Sequence, residues 1–227
     1  MKKVVVSLGL SLALGISSSA QIFDNHQVGV NVGTLGAGIE YSSSFNEMFA
    51  LRTGFNTFSY SDSLTESGIK YDADLDLQTI SLILDYHPFE NGFRLSAGAM
   101  YNGNELKVKG KPDGSGDIEI NDVIYDSTQV GQVDGKIDFN NFAPYAGIGY
   151  SSSKTKSSGF SFNTEIGVLF QGSANTQLTA QCGSALIASG QCSKLQSDLA
   201  AEEKQLNDEL SDFDMYPVVS IGLGYKF

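Results

Sequence analysis

Six charged side chains spread along the chain, Glu40, Arg52, Asp85, Arg94, Glu165 and Lys226, are of the types that form a buried ion-pair network. Guanidinium and carboxylate groups match each other through paired hydrogen bonds, and a charge left unmatched out of water is strongly destabilising. Such a set has two uses: lining a narrow gated pore, or filling a closed lumen as a satisfied polar plug, which is the preferred reading. Asp72, Asp74 and Asp76, next to Tyr71 and near Asp62 and Glu66, are hard oxygen ligands suited to calcium or magnesium. They lack a complete calcium-loop pattern, so they stand as weak metal candidates beside the simpler reading of a solvated acidic edge. Cys182 and Cys192 lie close in one polar segment that contains no histidine, and in an exported chain they are expected to form a disulfide.

These residues need rigid elements to position them, and the sequence supplies alternating strands. In the last stretch Val219, Ile221, Leu223, Tyr225 and Phe227 fall on one face and Val218, Ser220, Gly222, Gly224 and Lys226 on the other. The same period runs through Val28–Val32, Leu35–Tyr41, Phe49–Thr57, Ile80–Tyr86, Phe93–Tyr101, Phe142–Tyr150 and Phe160–Phe170. In each, the opposite face is mostly glycine, small polar residues or one of the six charges, with large exceptions such as Ile83, Met100 and Tyr145. The apolar parity changes between Val32 and Leu35. A two-residue hairpin turn at Gly33-Thr34 explains it by making Val32 and Leu35 direct partners, and a bulge at Gly33 in one long strand is the alternative.

With the hairpin there are eight strands. The connections near Ser43, Phe89 and Ser153 are short, whereas 61–76, 110–135 and 172–214 are long and polar. The middle one is expected to hold a small hairpin around Ile118–Tyr125. In the last, one short helix is expected from Ser193 to near Asp212, with Gln196 completing a capping box and Leu195, Leu199, Leu206, Leu210 and Phe213 forming a stripe that packs on its own loop, covers the barrel mouth or docks on a partner. Aromatics flank both ends: Phe45, Phe49, Tyr86, Phe89, Phe93, Tyr150, Phe160, Tyr225 and Phe227 on the short side, and Phe58, Tyr60, Tyr101, Phe139, Phe170 and Tyr216 on the long side.

Residues 1–20 read as an export signal: Lys2 and Lys3, an apolar run from Val4 to Ile16, then Ser17–Ala20 with small residues for cleavage after Ala20. This leaves 21–227 as one domain. Losing Lys2 and Lys3 takes the formal charge from −12 to −14, which argues against nucleic acid as a partner. The mature stretch has no apolar run of the roughly 18 residues a spanning helix needs, so residence in a membrane requires a barrel.

Alternation, loop asymmetry and the aromatic-ended last strand, with Leu223, Tyr225 and Phe227 as its assembly signal, resemble the small eight-stranded outer-membrane barrels of the OmpA-transmembrane and OmpW-like kind. The resemblance implies an all-β, antiparallel up-and-down transmembrane barrel in the bacterial outer membrane, porin-like in build. It implies contact with outer-membrane lipid and lipopolysaccharide and with the barrel-assembly machinery. The chain lacks the peptidoglycan-binding domain of OmpA, so no cell-wall anchoring is carried over. A structural or surface-interaction role without catalysis is the primary expectation, with an extracellular partner met through the long loops. A narrow channel for small or hydrophobic solutes is second. A lipid-modifying enzyme is third, because His26 and His87 both fall at the periplasmic end, away from any serine at the outer leaflet. No catalytic residue and no cofactor is assigned.

Overall fold

The computed structural model describes residues 24–66, 69–112, 117–126, 129–155 and 157–227, so the export signal and its cleavage after Ala20 lie outside the described residues. The strands are β1 (Asp24–Gly33), β2 (Gly36–Ser44), β3 (Phe49–Glu66), β4 (Ile69–Tyr86), β5 (Phe93–Asn102), β6 (Glu105–Pro112), β7 (Asp117–Ile120), β8 (Val123–Asp126), β9 (Val130–Asp138), β10 (Phe142–Ser151), β11 (Gly159–Phe170), β12 (Asn175–Cys182) and β13 (Met215–Lys226). Two helices, α1 (Ser184–Ser189) and α2 (Cys192–Glu209), lie between β12 and β13.

Pairing runs β4-β3-β2-β1-β13-β11-β10-β5, and β5 pairs back onto β4. This closed antiparallel cycle of eight strands leaves no free edge in the wall, the condition for spanning hydrocarbon with strands. Its outward positions are oily and exposed: Val30, Leu82, Phe160, Ile166 and Leu223 all stand out, while the alternate positions Thr79, Ile83 and Glu165 are buried inside. From Pro217 to Phe227 there are ten residue steps of about 3.3 Å. At a tilt of about 40° they rise roughly 25 Å, the height of an apolar membrane band.

The first hairpin exists, but its turn is Thr34-Leu35 and not Gly33-Thr34. Gly33 pairs with Gly36 and Val32 with Ala37, so Val32 and Leu35 are not partners. The positive φ belongs to Gly36, at 97°, where only glycine enters without strain. Thr34 is pinned to β13 instead: its N–H donates to Val219 O at 3.0 Å, its hydroxyl to Pro217 O at 2.9 Å, and Tyr216 Oη donates to Thr34 O at 2.7 Å. That clamp turns Leu35 into the barrel mouth, where it is buried.

Segment 61–76 is not a loop. β3 and β4 continue past the wall until Glu66 faces Ile69, and at Gln78 β4 changes partner, from β5 over Thr79–Tyr86 to β6 over Ile69–Asp76. The junction is stitched by Gly103 N–H to Gln78 O at 2.8 Å and Gln78 N–H to Asn104 Oδ1 at 2.9 Å. β9 and β12 then extend this upper sheet. α2 closes one face of it around a second core of Ile120, Tyr125, Val130, Leu186, Leu195 and Leu199. The long connections therefore build a folded lobe, and the expected hairpin is present as β7–β8 with Ile118 opposite Tyr125.

The helix expected from Ser193 is present as α2, and the difference is in number, since α1 precedes it. Ser193 is inside α2 and does not cap it. Gln191 occupies the cap without a side-chain bond, and Gln196 reaches the Ala180 carbonyl at 3.4 Å, so no capping box forms. Leu195 and Leu199 are buried, while Phe213 is exposed. Of the outer aromatics, Tyr101 and Phe170 face outward. Phe58, Tyr60 and Tyr216 take the inner parity, Tyr216 packing on the interior core.

Candidate functional site

The inside of the wall brings Glu40, Arg52, Asp85, Arg94 and Glu165 together at mid-height. Arg52 Nε and Nη2 donate to the two Asp85 oxygens at 2.9 and 3.1 Å, and Nη2 also donates to Glu165 Oε1 at 2.8 Å. Glu40 lies 3.6 Å from Arg52 Nη1. Arg94 Nη2 donates to Glu165 Oε2 at 2.7 Å and its Nε lies 3.6 Å from Asp85. In the ring β3 and β11 are four strands apart in either direction, so the Arg52–Glu165 contact spans the full width of the lumen. An eight-stranded barrel is only wide enough for side chains to fill, which is why this reach is possible.

Register explains how the partners find room. Arg94 and Glu165 stand in one cross-strand row with Gly149 between them. Tyr145, which sequence reasoning placed on the inner face but not in the network, donates its hydroxyl to Glu165 Oε1 at 2.5 Å. Its ring needs Gly147 and Gly167, where a Cβ would sit 2.4 and 2.3 Å from that hydroxyl. The signal was visible: Tyr145 is the one large side chain on an inner face otherwise made of Ala143, Gly147 and Gly149. Ser96 Oγ to Asp85 at 2.6 Å and Asn163 Nδ2 to Glu40 at 3.2 Å also joined the network unannounced. Lys226 sits one layer lower and donates to the Ser153 carbonyl at 3.3 Å.

Above this network lies an apolar layer of Leu35, Ile83, Met100, Ala143, Tyr145, Leu169 and Val218. Among the described residues two small cavities of about 40 Å³ each flank the network, one toward the mouth and one toward the end with the short turns. Both are lined by Glu40 and Arg52, which therefore stand between them. Each holds a few waters at most.

The two histidines sit at the rim that carries the short turns and Phe227. His87 Nδ1 donates toward the carbonyls of Asn91 and Phe93, at 3.1 and 3.0 Å, which closes a turn. His26 Nδ1 meets Tyr41 Oη at 2.8 Å and Ser43 Oγ at 3.1 Å, and the His26 carbonyl accepts from the N–H of the terminal Phe227 at 2.9 Å. Tyr225 and Leu223 of the expected assembly signal are outward and exposed.

In the lobe, Asp72, Asp74 and Asp76 lie on one face of β4 and are met by other side chains. Lys70 Nζ donates to Asp72 at 2.7 Å, Ser61 Oγ to Asp74 at 2.5 Å, and Lys109 and Lys107 stand opposite Asp72 and Asp74. Asp76 faces Glu105, which Lys107 and Lys136 hold. Among the described residues no three His, Cys, Asp or Glu side chains gather as a metal-ligand group.

Cys182 and Cys192 form a disulfide with Cα atoms 5.8 Å apart, tying the end of β12 to the start of α2. Replacing both by serine is expected to lower the stability of the lobe by about 2–3 kcal/mol, from the entropy of the closed loop. Limited proteolysis between β12 and α2 is the check, and equal cleavage rates with and without the bridge would contradict the estimate.

Docking of α2 on the β7–β8 hairpin also depends on charge. Tyr125 Oη donates to Asp198 and Lys194 Nζ to the same carboxylate at 2.8 Å. The Lys194 bond first, then the tyrosine, holds the Asp198 carboxyl below its usual range, while burial pushes the Tyr125 hydroxyl up. A lowered carboxyl stabilises the fold above its unfolded pKa of about 3.9 and loses that contribution as pH falls through the lower folded value. Amide exchange in α2 is therefore expected to quicken below about pH 4, and Asp198→Asn is expected to bring the quicker exchange to neutral pH. Unchanged rates in that variant at pH 7 would remove the contact from the account.

The sequence matches no protein-family model and no curated protein. Among solved structures the chain is similar to two outer-membrane β-barrels of Acinetobacter baumannii. CarO2 superposes with a TM-score of 0.57 at 22% identity, over 90% of this chain and 99% of the other. CarO gives 0.56 at 20% identity, over 88% and 97%. The fold is that of a small outer-membrane β-barrel.

Proposed function

We propose that the chain is a non-enzymatic barrel of the bacterial outer membrane whose lumen is closed and whose work is done by the lobe it holds above the wall. The observation that carries this is the Arg52 bridge from β3 to Glu165 on the opposed β11. With the apolar layer above it and water-sized cavities on either side, a hydrated ion has no continuous path. The oily outward face fits lipid on the wall and lipopolysaccharide at the upper rim, and the strand ending in Leu223, Tyr225 and Phe227 suits recognition by the barrel-assembly machinery. With Phe227 on the periplasmic side, the lobe of β6, β9, β12 and α2 faces outward, where an extracellular partner would meet it.

The non-catalytic reading draws on the histidines. Both lie at the end opposite the lobe, and His26 shares its Nδ1 between Tyr41 and Ser43 without a third group to orient it as a base. Refolded protein in planar bilayers is expected to give no discrete current steps. Steps whose size changes in Glu165→Gln would replace the closed-lumen reading with that of a narrow channel for small solutes.

A further inference from the structure

The oily wall is not uniformly convex. On the side made by β13, β1, β2 and β3 it holds a groove of about 810 Å³, within the roughly 300–1,000 Å³ range of small-molecule sites. Strand register accounts for it. One outward row reads Phe160, Tyr225, Val28, Tyr41 and Thr53, and the next row up reads Phe162, Leu223, Val30, Ile39 and Phe55. Small Val28 and Val30 form the floor between a ridge of Phe160 and Tyr225, edge to face at 5.3 Å, and a second ridge of Tyr41 and Phe55.

β1 rises from the terminal Phe227 end, so the Val28 row lies in the periplasmic half of the wall. At the groove's lower end the Tyr41 hydroxyl meets His26 and Ser43, which supplies polar groups where the apolar lining stops.

We propose that this groove holds an acyl chain of an inner-leaflet phospholipid, with the ester and headgroup region beside Tyr41 and His26. The inference rests on the membrane placement given above but not on the closed lumen. The lining is continuous with the lipid-facing wall, and its polar edge lies at one end only, as an acyl chain joined to a headgroup requires. A second copy of this chain, meeting it across a twofold axis, would set one concave face on another and leave a void.

The test uses the mature chain refolded into phosphatidylethanolamine–phosphatidylglycerol vesicles containing phosphatidylglycerol spin-labelled on its acyl chain. Wild type is expected to show a strongly immobilised spectral component of about one lipid per barrel. Val28→Phe with Val30→Phe, which fills the floor with groups still suited to lipid, is expected to abolish it. Ala97→Phe with Ala146→Phe, outward on the far wall, is expected to leave it. An immobilised component unchanged in the filled variant overturns the groove, as does efficient dimer cross-linking from Val30→Cys in the same vesicles. Failure of wild type to insert, read as loss of its heat-modifiable gel shift, overturns the membrane placement and the groove together.

Discussion

Replacing Arg52 by alanine is expected to lower the unfolding free energy of the barrel by roughly 3–5 kcal/mol, the usual cost of stranding a buried charge. Arg52 contacts three carboxylates, Asp85, Glu165 and Glu40. Without it the cluster falls from two cations against three anions to one against three, among side chains that are almost wholly buried. Arg94 cannot take over, since its Nη2 is already bound to Glu165 and it comes from β5, on the other side of Asp85. Urea unfolding of the refolded protein in detergent is the measurement. A double variant, Arg52→Met with Glu165→Gln, removes one of the uncompensated anions and is expected to lose less than the sum of its parts. An Arg52→Ala barrel that unfolds at the wild-type urea concentration would sink the lumenal network.

The second large effect belongs to the lobe. Leu195 is fully buried between α2, the β7–β8 hairpin and the β9–β12 sheet, so Leu195→Ala is expected to cost about 2–5 kcal/mol by lost burial and the cavity left behind. The lobe's core shares no residue with the barrel's interior core. The loss should therefore appear as fast amide exchange in α2 and β12, while the wall strands β1, β11 and β13 keep their protection. A matching loss of protection in the wall would mean that lobe and barrel unfold as one unit. No change in α2 would mean that Leu195 does not anchor it.

Much of the wall was legible because a strand in a closed ring obeys a simple rule. One face packs into the narrow interior and the other stands outside, so alternate residues of each wall strand declare their face, and the six charged candidates were the charges left on the inner parity. Five of them meet, because the lumen of eight strands is narrow enough to force the meeting. Lys226 lines the cavity below them and donates to the Ser153 carbonyl, its row lying nearer the end with the short turns, a height that alternation alone does not reveal. The turn at Thr34-Leu35 was misplaced by one residue because the parity change at Gly33 is compatible with more than one turn. The choice was made by hydrogen bonds between Thr34 and β13, from Thr34 to the Pro217 and Val219 carbonyls and from the Tyr216 hydroxyl back to the Thr34 carbonyl, nearly two hundred residues apart in the chain.

The lobe was the least legible part. Its strands are short, carry lysine and aspartate on their outer face, and read as polar loops: Asp72 and Asp74 looked like a repelling edge because Lys109 and Lys107, their neighbours on β6, are far away in sequence. Cys182 with Cys192 and the Leu195–Leu199 stripe were the local clues that something folds there, and both were readable.

By itself the sequence determined the alternation, the side of each wall residue and the charges on the inner parity, since these follow from the pattern over a few neighbouring residues. Tertiary structure alone decided the first turn's register, the β4 switch from β5 to β6, and the bridging of the lumen by Arg52. Each of these depends on which distant strand arrives alongside, and ring closure settles that globally.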